Sequence, residues 1–261
     1  MDPLDDFDRR TVMHDDRTFA VYVAGDGPAV LVLPEMPGIT PDVARFARWV
    51  RDAGLSAWIP SLFGVDGADP SMERTIESMG SPCVRREFEA FATGAGSPMV
   101  SWLRHLAGVA HAECGGPGVG VIGMCFTGNF ALAMAIDPTV LAPVMSQPSL
   151  PLDDPAGTFI ADDDLVAIRA RLDRDDVEVR AYRFEGDTYC QAARFDALSS
   201  ALGDRFRPTV LPDDAAGEVG WVGVPHSVVT TSLVDEHGEL TAAVRDEIIE
   251  FFATSLGIPA I

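Results

Sequence analysis

The sequence predicts an α/β domain with a doubly wound, mostly parallel sheet. Three observations carry that expectation. Short, wholly apolar runs recur along the chain, as in strands buried on both faces. Stretches of helical periodicity fill the intervals between them. The length of 261 residues, with 47% apolar and 23% charged side chains, suits one large domain over 1–261 with a sizeable core.

The elements follow in chain order. Ala29-Val30-Leu31-Val32-Leu33 ends at Pro34 and reads as a buried strand. Thr40-Pro41 has the form of an N-cap followed by proline at the first helical position. Val43, Phe46, Ala47 and Val50 come next at helical spacing, with Gly54 placed to end the helix. Leu55 to Ile59, stopped by Pro60, completes a βαβ unit and so implies parallel pairing. Residues 61–98 are loop-rich, with a short helix around Arg85 to Phe91. A helix from Met99 to Ala110 leads into a strand over Gly118 to Ile122. Asn129 to Ile136 is helical and closes at Asp137-Pro138. Strands over Val140 to Met145 and Val177 to Phe184 flank a helix from Leu165 to Leu172. Arg207 to Leu211 is the last strand. Val244, Ile248, Phe251 and Phe252 mark a C-terminal amphipathic helix ended by Gly257. Sites in such sheets gather at the carboxyl ends of the strands.

Charge and composition remove several function classes. Forty acidic residues against 19 basic ones leave a net charge of −21. A field of that sign repels phosphate backbones and anionic headgroups, so neither nucleic acid nor a membrane surface is an expected partner. Every basic residue is arginine. Without lysine, P-loop phosphate binding, Schiff-base chemistry and Ser-Lys dyads drop out. Met1-Asp2-Pro3-Leu4-Asp5-Asp6 is acidic and lacks the apolar segment of a signal peptide, and no stretch reaches the roughly 18 apolar residues of a membrane helix. Cys83, Cys114, Cys125 and Cys190 show no C-x-x-C spacing, which argues against a disulfide scaffold or a zinc site and makes a reducing cytoplasm the expected setting. Gly118-Val119-Gly120-Val121-Ile122-Gly123 matches G-x-G-x-x-G, but its glycines fall before and within a strand and no acid follows about 20 residues on. No dinucleotide cofactor is expected.

The chemistry centres on Gly123-Met124-Cys125-Phe126-Thr127-Gly128, where a buried strand turns directly into a helix. That is the setting of a nucleophile elbow, with Cys125 at the tip and a helix N-terminus that favours its thiolate. A side chain at Gly123 would collide with the turn. The usual elbow has glycine two residues after the nucleophile; Thr127 stands there, which predicts a slightly more open turn. The bland alternative is a buried cysteine packed as a small hydrophobe, and the strand-turn-helix setting weighs against it. Chain order in such sheets runs nucleophile, acid, histidine. His226, in Val224-Pro225-His226-Ser227, is preferred to His237, in the polar turn Asp235-Glu236-His237-Gly238. Asp187 follows a strand in Phe184-Glu185-Gly186-Asp187 and is the candidate acid, with Glu185, Asp213 and Asp214 as competitors and a helix-capping turn as its ordinary role. Pro34-Glu35-Met36-Pro37-Gly38 ends the first strand on the same edge. The N–H groups of Met36 and Phe126 are candidate oxyanion donors, whereas Pro37 has none, and Glu35 would face the same pocket.

Together these segments resemble the dienelactone hydrolase family, a branch of the α/β-hydrolase fold with a cysteine nucleophile. The similarity runs from Leu31-Val32-Leu33-Pro34-Glu35-Met36-Pro37-Gly38 to Pro225-His226-Ser227. It implies Cys125 as nucleophile, His226 as base, Asp187 as its orienting acid, and Glu35 hydrogen-bonded to the resting thiol. It also implies a small-molecule acyl substrate and no cofactor. Members that open dienelactones hold the substrate carboxylate with two arginines. Arg85 or Arg86 is the candidate for one, their ordinary reading being an exposed helix face; the position of the other, four residues past the histidine, holds Thr230. Half a clamp forfeits a bidentate contact, so an ester, lactone or thioester is expected in place of a dienelactone. The rival reading is a non-catalytic, oxidant-sensing thiol, with Cys190 as a resolving partner.

Overall fold

The computed structural model describes residues 1–92 and 96–258. In chain order its elements are β1 (Asp8–His14), β2 (Arg17–Ala24), β3 (Ala29–Leu33), α1 (Pro41–Asp52), β4 (Ser56–Pro60), α2 (Met72–Met79), α3 (Pro82–Ala92), α4 (Pro98–Cys114), β5 (Val119–Met124), α5 (Gly128–Met134), β6 (Val140–Ser146), α6 (Asp162–Asp175), β7 (Val179–Phe184), α7 (Ala192–Leu202), β8 (Phe206–Leu211) and α8 (Leu240–Ser255). The strands form one sheet in the order β1-β2-β4-β3-β5-β6-β7-β8. β2 is antiparallel to both neighbours; from β4 to β8 every pairing is parallel. This is the doubly wound, mostly parallel sheet that the apolar runs predict.

Those runs are apolar throughout because both faces are covered. Val30, Val32, Ile122 and Met124 pack with Phe46 and Val50 of α1 and Ile248 and Phe252 of α8. Leu31, Leu33, Val119 and Val121 point the other way, against Trp102, Leu103 and Leu106 of α4 and Phe130 of α5. Met145, Val179 and Ala181 meet a third group from α6 and α7. Gly120 leaves room for α8, since a Cβ there would lie 2.7 Å from the Phe252 ring. The Thr40 cap is as expected: its hydroxyl accepts the Val43 N–H at 3.3 Å.

The structure corrects the reading in three places. Residues 8–24 form a hairpin that the sequence pattern does not reveal; β1 is an exposed edge strand that mixes arginine, aspartate and threonine, so no apolar alternation marks it. The segment 61–98 is more helical than expected, carrying both α2 and α3. α2 buries only Ser78 and exposes Met72 and Ile76, so no inward stripe announces it; its start is held by the Ser71 hydroxyl, which accepts the Arg74 N–H at 3.2 Å. α7 was also unassigned, because its buried face runs Arg194, Phe195, Leu198, Leu202 and opens with a cation. Among the described residues, no helix is long and apolar enough to cross a membrane.

Candidate active site

The elbow forms at the carboxyl end of β5. Cys125 adopts φ +52°, a strained left-handed conformation for a side chain other than glycine. A Cβ on Gly123 would lie 2.1 Å from the Thr127 carbonyl oxygen, so only glycine permits that closure. Thr127 adds hydrogen bonds to the turn. Its buried hydroxyl accepts the Met124 N–H at 2.9 Å and lies 3.0 Å from the Leu33 carbonyl oxygen, tying the elbow to the end of β3. Thr127→Val keeps the shape but orphans a buried N–H. It is expected to cost about 1–3 kcal/mol, read as a lower denaturation midpoint; an unchanged midpoint would show the tie to be dispensable.

His226 lies in the loop between β8 and α8 and is buried, whereas His237 is exposed. Its Nδ1 is 2.7 Å from Asp187 Oδ2, and the ring lines the same cavity as Cys125, which acts on its charge. Burial alone would push the imidazole pKa down. Interaction with Cys125 and the bond from Asp187 outweigh it, and the imidazolium persists well above its ordinary range. Asp187 performs both of its candidate roles, one per oxygen: Oδ2 meets the imidazole, while Oδ1 accepts the N–H groups of Tyr189 (2.8 Å) and Cys190 (3.0 Å) as a turn aspartate does. The competitors Glu185, Asp213 and Asp214 are exposed. Asp213 shapes the turn from outside by accepting the Gly186 N–H at 2.7 Å, and it approaches so closely that a Cβ on Gly186 would lie 2.2 Å from its carboxylate.

Glu35 is buried beside this group but bonds elsewhere than expected. It accepts from Ser227 Oγ at 2.8 Å, from Gln147 Nε2 at 3.2 Å and from the Thr230 hydroxyl; its carboxylate makes no hydrogen bond to the Cys125 sulfur. Burial raises its pKa, opposed by the bond from Thr230. Glu35 therefore clamps the histidine loop to the end of β3. Gln147 and Ser227 were missed in the sequence, although Gln147 stands directly after β6 at the carboxyl edge, where polar residues are worth inspecting. Its Oε1 also accepts the Val228 N–H at 3.3 Å.

Cys125, Phe126, His226, Glu35 and Met36, which include both residues proposed as oxyanion donors, line one cavity of about 150 Å³. Most of the remaining wall is apolar: Met79, Leu150, Leu152, Tyr189, Trp221 and Val222. Arg85 and Arg86 do not line it. Both project from the exposed face of α3, with Arg86 4.0 Å from Asp16, because Val84 and Glu87 take the inward face.

The strand order, the elbow after β5, the acid after β7 and the histidine after β8 together define an α/β-hydrolase fold. The sequence profile of the dienelactone hydrolase family matches residues 18–170, and the chain belongs to that family. No curated protein matches it. Solved structures share the fold at low identity. A protein of Klebsiella pneumoniae subsp. pneumoniae MGH 78578, classed as a dienelactone hydrolase, is 16% identical with a TM-score of 0.64, over 95% of this chain and 98% of its own. A dienelactone hydrolase-like promiscuous phosphotriesterase from metagenomic libraries is 19% identical with a TM-score of 0.61, over 96% and 99%. A cold-adapted esterase from an Arctic intertidal metagenomic library is 17% identical with a TM-score of 0.59, over 94% and 92%.

Proposed function

We propose that the protein is a cysteine-dependent carboxylic ester hydrolase that cleaves a small ester, lactone or thioester. The supporting observation is that His226, bonded to Asp187, shares one largely apolar cavity with Cys125. In this reading the Cys125 thiolate attacks the acyl carbon, and the carbonyl π electrons move to oxygen. The N–H groups of Phe126 and Met36 stabilise the resulting oxyanion. His226, already carrying a proton, donates it to the leaving alkoxide or thiolate as the tetrahedral intermediate collapses to an acyl-cysteine. The neutral imidazole then takes a proton from water, which attacks the acyl carbon and releases the acid and the cysteine. Asp187 keeps Nδ1 protonated throughout. Esterase and phosphotriesterase activities among proteins of the same fold are compatible with this chemistry.

The sensor alternative needs a reactive resolving thiol. Cys190 is fully buried, and burial pushes its pKa up, which disfavours the thiolate such a partner requires. The deciding measurement is stoichiometric. With p-nitrophenyl butyrate in excess, many equivalents of p-nitrophenol per chain are expected, and none after iodoacetamide treatment. Release that stops at one equivalent would leave a thiol that is acylated but does not turn over.

A further inference from the structure

Among the described residues, the cavity beside Cys125 is lined by no guanidinium or ammonium group, and its one lining cation, the His226 imidazolium, is bonded to the Asp187 carboxylate. The chain has no lysine. The arginines that reach its surrounding loops are committed to other groups. Arg45 Nη2 is 3.1 Å from Asp42 and also donates to the Thr230 carbonyl at 3.5 Å. Arg194 is fully buried and donates to the carbonyls of Pro148, Pro151, Asp154, Gly157 and Tyr189 at 2.6–3.0 Å. The one carboxylate in the lining, Glu35, is itself buried there. An anionic acyl group entering this space would lose its water and face a buried acid, and the one cation beside it, the His226 imidazolium, is already matched by Asp187. The volume sets a second limit: about 150 Å³ suits one benzene-sized apolar group. Leu152 and Tyr189 line the cavity yet remain 53% and 41% exposed, so they form its mouth.

We propose that this site selects uncharged acyl groups with a small apolar body and rejects acyl groups that carry a carboxylate. The proposal rests on the hydrolase reading above and specifies its substrate class.

Two measurements separate the proposal from that reading. Initial rates are compared for p-nitrophenyl hexanoate and mono-p-nitrophenyl adipate, which differ in a terminal methyl against a carboxylate, with spontaneous hydrolysis subtracted. Salt at about 0.3 M screens the field of the whole chain. The hexanoate is expected to exceed the adipate in kcat/KM by about 100-fold; values within threefold, or a preference for the adipate, overturn the proposal. In the second, Cys125 is alkylated by iodoacetamide and by iodoacetate in the same salt, and the rate ratio is followed by peptide mass spectrometry. That ratio is expected to exceed the ratio for N-acetylcysteinamide by at least about tenfold. An equal ratio overturns the proposal without any need for turnover. If neither ester is hydrolysed but alkylation keeps the preference, the hydrolase reading fails and the charge selection stands.

Discussion

Replacing Cys125 with alanine is expected to lower kcat/KM toward p-nitrophenyl esters by about 10⁴-fold or more. The expectation is large because, in the proposed mechanism, the thiolate supplies the bond-forming electron pair. Ser227 and Thr231 also line the space, but the Ser227 hydroxyl is engaged with Glu35 and that of Thr231 lies 3.4 Å from Asp42. The fold should persist: alanine bears the same left-handed strain as cysteine, and the sulfur is only half-buried. Cys125→Ser keeps a nucleophile of similar shape, yet its hydroxyl is far less acidic than a thiol, so it too should turn over much more slowly. Activity of Cys125→Ala within tenfold of the parent, measured on protein with an unchanged melting transition, would remove thiol catalysis from consideration.

His226→Ala is expected to reduce turnover by on the order of 10²- to 10⁴-fold, since in the proposed mechanism the same ring protonates the leaving group and activates water. The pH dependence supplies an independent check. His226 is held protonated above its ordinary value of 6.5 by the groups on either side of the ring, against the burial that opposes it. Folding therefore binds a proton at this position. The associated stability is fully present below pH 6.5 and disappears as pH rises through the higher folded value. His226→Gln should flatten that alkaline decline in denaturant-unfolding free energy; identical pH profiles for parent and variant would mean that the imidazole is not charged in the folded state.

Much of this site could be read from the chain because each part lies where strand gives way to loop. Gly123 and Cys125 stand at a junction between an unbroken apolar run and a helix, and His226 is the one candidate histidine outside a polar turn. Asp187 was harder, since a glycine-aspartate turn after a strand is common and three other acids compete. Burial and the bond to the ring separate them. Helical periodicity located α1, α4 and α8 because each presents a plain apolar stripe. β1, α2 and α7 escaped for the opposite reason: an edge strand, a mostly exposed helix and a helix with an inward arginine do not sort polar from apolar residues. Glu35 was placed correctly in the pocket, but its bonding partners lie 112 to 195 positions away, and no local pattern can express a contact of that range. The same applies to Arg85 and Arg86, whose exposure depends on which face of α3 the neighbouring helices cover.

The bonds from Ser227 and Thr230 to Glu35 carry a consequence for the newborn polypeptide. They join the first third of the chain to its last forty residues. While the ribosome is still producing the middle of the protein, the elbow cysteine exists without its histidine, and the glutamate that will anchor the histidine loop has nothing to hold. The cysteine and the histidine loop therefore come together only after about a hundred further residues have been added to the chain. A prematurely terminated product ending before position 226 would keep the sulfur and lack the base.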